Sequence, residues 1–265
     1  MFKLKKTFVL FGIIFLAALF LFSGLIDRIY VAPILMYHSV HPGALPKNRL
    51  EVSDFAFQRQ MAFLKRNHYN VVSLEKLADL VREKKRIPPR TVALTFDDGI
   101  KDIYNYAFPV LKKYNFPATM FIILDEVDRP QNDRFSWEEI KVMQDSGVIT
   151  FGSHALGPEP LINIKSEEEI RRQIFESKRI LEEKLGKRVN TFSYPEGRFN
   201  DAIRRMVVDA GYQAAVTTSV GKKFPNDDVF ALKRLRISST SDSLFVFCVE
   251  SSGLYTFMKE HRDSD

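Results

Sequence analysis

The chain has 265 residues, of which 45% are hydrophobic and 27% are charged, so a wholly disordered or fibrous protein is excluded. Three of its basic residues precede residue 7, and from residue 27 onward 36 basic residues face 33 acidic ones, an excess too small to indicate a nucleic-acid partner. The single cysteine, Cys248, excludes an internal disulfide and a zinc site built from cysteines.

The first elements in the chain point to a membrane. Residues 7–26 carry no charge, and twenty helical residues span about 30 Å, the thickness of the hydrocarbon core of a bilayer. Because lysines precede this stretch, the positive-inside rule keeps the N-terminus in the cytoplasm. We expect a cytoplasmic tail over 1–6, a single transmembrane anchor over 7–27 in the cell membrane, and an extracytoplasmic domain over 28–265. A cleaved signal peptide is the alternative, although the sequence offers a poor cleavage site.

The rest of the chain alternates short apolar runs with amphipathic ones. The predicted strands are 31–37, 69–72, 91–96, 118–124, 148–151, 189–194, 213–217 and 231–237. The predicted helices are 53–67, 73–81, 103–114, one that begins at 136, 166–185 and 201–210. Such alternation predicts an α/β fold with parallel strands, and about seven units favour a closed or nearly closed (β/α) barrel over an open sheet.

Four polar clusters, at 36–38, 95–99, 152–154 and 192–197, follow predicted strands. In barrels the strand ends form the face where catalytic groups collect. Asp97 and Asp98 repel one another unless a cation lies between them or one is protonated, although a plain Asp-Gly turn would also explain the pair. His154 and His38, each taken alone, could equally be structural histidines.

The residues carry more weight as a set. Two aspartates and a histidine at neighbouring strand ends could hold a divalent cation such as zinc and leave positions open for water and substrate. A second carboxylate could serve as general base and a histidine as general acid. This arrangement is typical of metal-assisted hydrolysis of an acyl group. Arg234 and Arg236, on the last predicted strand, are either surface charges or residues that orient a carboxylate.

These motifs resemble the polysaccharide deacetylase family (NodB homology, carbohydrate esterase family 4). The TFDDG sequence at 95–99 is similar to that family's first motif, 152–154 to the start of the second, and 194–197 to a variant of the third. Residues 232–237 are similar to the late strand that follows. The opening at 33–38 resembles a circularly permuted branch that acts on poly-N-acetylglucosamine.

The resemblance implies a distorted (β/α) barrel of about seven strands, here preceded by one N-terminal transmembrane helix. It also implies a divalent metal, usually zinc, and an N-acetylated polysaccharide as the substrate. Transferred by position, the family's roles make Asp97 the general base and His38 the acid that protonates the leaving amine. Metal ligands would be Asp98 and His154, and the oxyanion or substrate would meet Tyr194, the backbone N–H of Glu196, and Arg234.

The sequence departs from the family pattern at two places. The second motif normally supplies another histidine four or five positions after the first, where this chain has Pro158 and Glu159. The carboxylate of Glu159 could act as the missing ligand, or it could be an ordinary loop residue. The third motif normally has an arginine where this chain has Ser193, and Arg234 or Arg236 could compensate.

Three functions therefore remain open. The first is a membrane-anchored, metal-dependent hydrolase that removes N-acetyl groups from an extracellular or cell-wall polysaccharide. The second is a non-catalytic glycan-binding module on a degenerate deacetylase barrel. The third is an esterase that removes O-acetyl groups from a polysaccharide, because both reactions pass through a tetrahedral oxyanion.

Overall fold

The computed structural model describes residues 31–46, 48–129, 131, 133–218, 228–253 and 255. The predicted anchor at 7–27 lies outside these ranges. Within them, no helix combines the length and the apolar character needed to cross a membrane.

Ten strands in the described ranges form two sheets. They are β1 (Ile34–Tyr37), β2 (Ser39–Val40), β3 (Glu51–Val52), β4 (Asn70–Val72), β5 (Thr91–Phe96), β6 (Ala118–Ile122), β7 (Ile149–Ser153), β8 (Thr191–Ser193), β9 (Ala214–Val216) and β10 (Leu235–Arg236). β2 and β3 pair only with each other, and the other eight strands form one sheet.

The large sheet is parallel throughout and curls back on itself. Its path runs β10-β1-β5-β6-β7-β8-β9, and β4 pairs with β5 beside this path. A parallel bridge joins Val216 in β9 to Leu232, three residues before β10, and so links the two ends of the path. The predicted α/β class is therefore confirmed, and this curled sheet of seven successive strands agrees with a (β/α) barrel.

Seven α-helices accompany the strands in the described ranges: α1 (Asp54–Arg66), α2 (Leu74–Arg82), α3 (Phe108–Tyr114), α4 (Trp137–Asp145), α5 (Glu167–Leu185), α6 (Asp201–Asp209) and α7 (Leu244–Glu250). Short 3₁₀ turns cover Leu124–Glu126, Leu161–Asn163, Pro195–Gly197 and Ser239–Asp242. Five helices start where the sequence predicts, because a polar side chain caps each one by accepting a hydrogen bond from the backbone N–H three residues on. These caps are Ser53, Ser73, Ser136, Ser166 and Asn200.

The predicted helix 103–114 is only partly α-helical. Its first turn, Ile103–Ala107, is a π-helix, and the α-helix begins at Phe108. Pro109 explains the difference, because proline has no backbone N–H to give to the preceding turn and so breaks the regular ladder of hydrogen bonds. The α7 helix and the β2–β3 pair were not predicted.

Alternation along the strands sorts side chains onto two faces of the curled sheet. Leu35 and Tyr37 belong to the large outer cluster under the helices, whereas Ile34 belongs to a smaller inner cluster that also contains Phe121 and Val216. The α2 helix contributes to the inner cluster and is tied to the segments before β8 and β9 by hydrogen bonds of Glu75 and Arg82, so it covers the N-terminal end of the strands. The C-terminal ends carry the polar clusters.

Candidate active site

Asp97 is held in place by a buried arginine at the C-terminal end of β5. Nη1 and Nη2 of Arg234 donate to Oδ1 and Oδ2 of Asp97 at 2.6 Å each, and both residues are at most 2% exposed. Burial acts to raise the pKa of Asp97, but the charge and hydrogen bonds of Arg234 outweigh it and lower the pKa to about 2. The carboxylate is therefore ionised and fixed in orientation at any ordinary pH.

Three further groups satisfy the remaining donors of Arg234. Nε donates to the carbonyl oxygen of Thr217 at 3.1 Å, and Nη1 also reaches Oγ1 of Thr95 at 3.3 Å. Nη2 donates to Oγ of Ser193 at 2.9 Å, and this hydroxyl donates to Oδ2 of Asp97 at 3.4 Å. The structure thus places Arg234 in the position of a residue that orients the carboxylate. Its buried guanidinium is not free to contact a substrate.

His154 lies beside the two aspartates in a defined tautomer. Nδ1 is 2.7 Å from the carbonyl oxygen of Ser193, which can only accept, so Nδ1 carries the proton. Nε2 then faces Oδ1 of Asp98 at 3.5 Å and Oδ2 of Asp97 at 4.0 Å. A lone pair directed at carboxylate oxygens is favourable only with a cation or a second proton between them, so the arrangement of donors fits a divalent cation.

The backbone turns sharply to place Asp98. Asp98 has φ 69° and Gly99 has φ 64°, so two successive residues adopt the left-handed conformation directly after β5. Aspartate tolerates this conformation better than most residues, and glycine adopts it freely. The turn brings the two adjacent carboxylates to the same opening, where the side chain of Asp98 is 28% exposed.

The structure does not bring Glu159 to Asp98 and His154. Its side chain is exposed, and its Oε1 accepts a hydrogen bond of 2.8 Å from Nδ2 of Asn163 in the next 3₁₀ turn. Within the described ranges, no group of three or more His, Cys, Asp or Glu side chains is placed to hold a metal ion. The expected ligation by Glu159 would require this side chain to leave Asn163.

His38 stands at the end of β1, next to β5 in the sheet. It is 8% exposed, and its Nδ1 has no hydrogen-bond partner among the described residues. Burial lowers the pKa of His38, the carboxylates of Asp97 and Asp98 act in the opposite direction, and the two arginines Arg234 and Arg236 lower it further. The imidazole is thus close enough to the two aspartates for both of their charges to act on its pKa.

The third cluster forms a tight turn after β8. Tyr194 is buried, with its hydroxyl donating to the carbonyl of Phe230 at 3.0 Å and its backbone N–H to that of Val216 at 3.1 Å, so both donors are used within the protein. Burial raises the pKa of Tyr194. Glu196 has φ 54°, and the carbonyls of Glu196 and Gly197 accept hydrogen bonds from Thr218 and Thr217. These contacts fix the turn that carries the backbone N–H of Glu196.

Sequence analysis missed the roles of Thr95, Ser193 and Thr217 in this network. Ser193 was noted only as a departure from the family pattern, yet its hydroxyl joins Arg234 to Asp97 and its carbonyl orients His154. Its position in the polar cluster after a predicted strand was the available signal. Thr217 accepts the hydrogen bond through its backbone carbonyl, which every residue has, so the amino-acid sequence could not have indicated this contact.

Comparison with known proteins decides the family. A model of the polysaccharide deacetylase family matches residues 84–215. YxkH of Bacillus subtilis (strain 168), whose name assigns it to the polysaccharide deacetylases, is 31% identical over 220 residues, covering 83% of this chain and 76% of that protein. The chain belongs to the polysaccharide deacetylase family. Asp97, Asp98 and His154 lie within the matched residues.

Other members of the polysaccharide deacetylase family extend the similarity. The poly-beta-1,6-N-acetyl-D-glucosamine N-deacetylase of Staphylococcus aureus (strain MRSA252) is 29% identical, over 71% of this chain and 68% of that protein. The Streptococcus pyogenes deacetylase PplD, solved in complex with acetate, is 27% identical with a TM-score of 0.73 over 82% of this chain and 97% of that one. IcaB from Ammonifex degensii is 25% identical, also with a TM-score of 0.73, over 84% and 97%. The predicted family and its poly-N-acetylglucosamine branch are confirmed.

Proposed function

We propose that this polysaccharide deacetylase removes N-acetyl groups from an extracellular or cell-wall polysaccharide in a metal-dependent hydrolysis. The observation that carries the proposal is the ionised Asp97, fixed by Arg234 at the point where Asp98 and His154 meet. The substrate class is supported by the N-deacetylase relative from Staphylococcus aureus. The location is supported by the apolar stretch at 7–26, which predicts an anchor in the cell membrane.

Asp98 and His154 would hold the divalent cation, for which zinc is the first candidate because borderline cations accept both carboxylate and imidazole ligands. When bound, such a cation polarises a carbonyl oxygen and lowers the pKa of water. The hydrogen bond from Nδ1 of His154 to the Ser193 carbonyl selects the neutral tautomer that has its lone pair on Nε2, which is the nitrogen that would bind the metal.

Asp97 and His38 would move the protons. Asp97 takes a proton from water as the water oxygen bonds to the acetyl carbon, and the carbonyl becomes an oxyanion that the backbone N–H of Glu196 would stabilise. His38 then gives a proton to the nitrogen as the carbon–nitrogen bond breaks. The products are acetate and a free amine on the sugar. Arg234 keeps the Asp97 carboxylate charged and aimed throughout these steps.

One observation favours a second candidate, a glycan-binding module without turnover. The family's usual second histidine is replaced at 158–159, and Glu159 is hydrogen-bonded to Asn163 instead of facing His154. Two protein ligands hold a cation less tightly than three, so the site could bind glycan and lack the metal it needs.

The experiment combines metal content with acetate release, using the full chain and a neutral β-1,6-linked N-acetylglucosamine oligosaccharide. After reconstitution with zinc, cobalt or manganese, we expect bound metal in the wild type and in Glu159→Ala, but loss of metal in His154→Ala. We expect acetate release in the wild type and its loss in Asp97→Asn, with the surface variant Asp145→Asn as the matched control.

The outcomes separate the candidates. Unchanged acetate release in Asp97→Asn would overturn the role of Asp97. Loss of metal in Glu159→Ala would make Glu159 a third ligand. Glycan binding with no acetate released under any metal would favour the binding module. An O-acetylated oligosaccharide, assayed in parallel, shows whether the protein cleaves esters in preference to amides.

A further inference from the structure

Arg236 lies at the rim of the site, on the same face of its strand as Arg234. Side chains two residues apart on a strand share a face and are about 7 Å apart along it. Arg234 reaches inward to Asp97 and is 1% exposed, whereas Arg236, two residues nearer the C-terminal end of β10, is exposed. The alternation therefore places Arg236 on the face of the sheet that carries the buried ion pair, nearer the C-terminal edge of the strands.

The register of the sheet puts Arg236 beside the predicted acid. Arg236 pairs with Met36 in β1, and His38 follows on the same face two residues later. The positive charge of Arg236 acts to lower the pKa of His38, in agreement with this placement. A group bound by Arg236 would thus lie next to the sugar nitrogen that His38 would protonate.

The guanidinium of Arg236 is available for a ligand. Among the residues that the structure describes, no acceptor contacts it, whereas every donor group of Arg234 is engaged. A guanidinium presents a planar pair of donors that matches the two oxygens of a carboxylate. A carboxylate carries one negative charge, which the single positive charge of Arg236 balances, so a singly charged carboxylate suits the position.

We propose that Arg236 is a specificity-determining residue that binds a carboxylate of the substrate, so that the preferred substrate is an N-acetylated glycan with a carboxylate near the acetamide to be cleaved. This inference rests on the proposed deacetylase function and names a narrower class of substrate. The carboxylate belongs either to a lactyl ether on the acetamido sugar itself or to a uronic acid next to it.

The test compares three substrates with the full chain. They are the neutral β-1,6-linked N-acetylglucosamine oligosaccharide, a peptide-free glycan containing N-acetylmuramic acid, and a glycan that alternates uronic acid with an N-acetylhexosamine. We expect the wild type to prefer one of the two carboxylated glycans, which identifies the source. We expect Arg236→Gln to raise KM for that glycan about tenfold or more, because a charge-assisted hydrogen bond is lost, and to leave its kcat unchanged.

Two controls keep the interpretation sharp. Arg236→Lys keeps the charge without the planar fork and should restore part of the affinity, and Arg188→Gln, an exposed arginine in the loop before β8, should leave all three KM values unchanged. Equal KM values for the neutral and carboxylated glycans in the wild type, or an equal rise for all three in Arg236→Gln, would overturn the proposal.

Calorimetry separates this proposal from the deacetylase function. If no substrate releases acetate, the proposed function fails, yet binding of the carboxylated glycan to the wild type and to Arg236→Gln still decides the role of Arg236. Weaker binding in Arg236→Gln, with binding of the neutral oligosaccharide unchanged, would support it. Equal binding of the carboxylated glycan by the two proteins would overturn it.

Discussion

Arg234 and Asp97 are 137 positions apart in the chain and are joined by two hydrogen bonds of 2.6 Å. Their ion pair connects the segment that enters the last strand of the curled sheet to the end of β5. Because both partners are buried, removing either one leaves a charge or a set of donors without a partner inside the protein. The contact is at once structural and functional, and the two aspects can be measured separately.

Arg234→Ala should destabilise the protein far more than Arg204→Ala. Both arginines make paired hydrogen bonds with an aspartate, but Arg204 and its partner Asp228 are 33% and 40% exposed. Breaking a buried pair costs about 3–5 kcal/mol, whereas an exposed pair contributes about 0–1 kcal/mol. Urea unfolding of the two variants at neutral pH measures the difference, and equal losses would contradict the role given to burial.

Acid should remove the stability that Asp97 contributes. Arg234 lowers its pKa to about 2, below the ordinary value of 3.8, so the folded state holds the ionised form more strongly than the unfolded chain does. The contribution, about 2 kcal/mol, is present above pH 4 and is lost as the pH falls toward 2. Urea midpoints of the wild type and Asp97→Asn should therefore differ at pH 7, differ less at pH 3, and converge as the pH falls to about 2. A gap that stays constant over this range would rule out the ion pair as its source.

His38→Ala should lower acetate release about 10²–10⁴-fold, the usual contribution of a positioned acid or base. Its matched control is His41→Ala, a half-buried histidine just after β2 that pairs with Glu51 of β3, which should leave the rate unchanged. Because burial lowers the pKa of His38, activity that needs its proton should decline as the pH rises through that pKa. A pH profile of acetate release by the wild type should show this decline. The same profile in His38→Ala would argue against His38 as the general acid.

Gly197→Ala should disrupt the turn that presents the N–H of Glu196. An added Cβ would lie 2.2 Å from Oγ1 and 2.3 Å from the backbone N of Thr218, and the residue has φ 68°. Gly186 has a similar φ of 63° but no atom within 4 Å of an added Cβ, so Gly186→Ala isolates the backbone strain, about 1–2 kcal/mol. We expect a larger loss of stability and of acetate release in Gly197→Ala. The prediction fails if the two variants unfold at the same urea concentration and retain the same activity.

Most elements could be predicted from the sequence because local signals agree with the fold. The strand Thr91–Phe96 is found with its predicted bounds, since an apolar β-branched run ends abruptly at two aspartates and a glycine. Capped helices such as Glu167–Leu185, which Gly186 ends in the left-handed conformation, were placed to within a residue. The last strand is much shorter than 231–237, because it forms only where β1 is opposite, and sequence alone does not contain that partner.

The site was predicted less completely than the fold. The strand-end pattern predicted that Asp97, Asp98, His38 and His154 lie at one edge of the sheet, and they do, because parallel strands bring their C-terminal ends together. The partner of Asp97 could not be chosen between two arginines, since both lie on the same face and the choice depends on which guanidinium is within reach of the carboxylate. The contact of Glu159 could not be predicted either, because its hydrogen bond with Asn163 depends on the conformation of the loop between them.

The pairing of β1 with β10 also determines when the active site forms during synthesis and folding. A chain emerging from the ribosome presents Asp97 well over a hundred residues before its counter-charge Arg234, so until the last strand docks beside the first, the carboxylate has no guanidinium to hold it. Contacts of such long sequence separation slow folding. Hydrolytic activity would then appear only when β10 pairs with β1. Nascent or shortened chains that lack β10 would not hydrolyse a glycan.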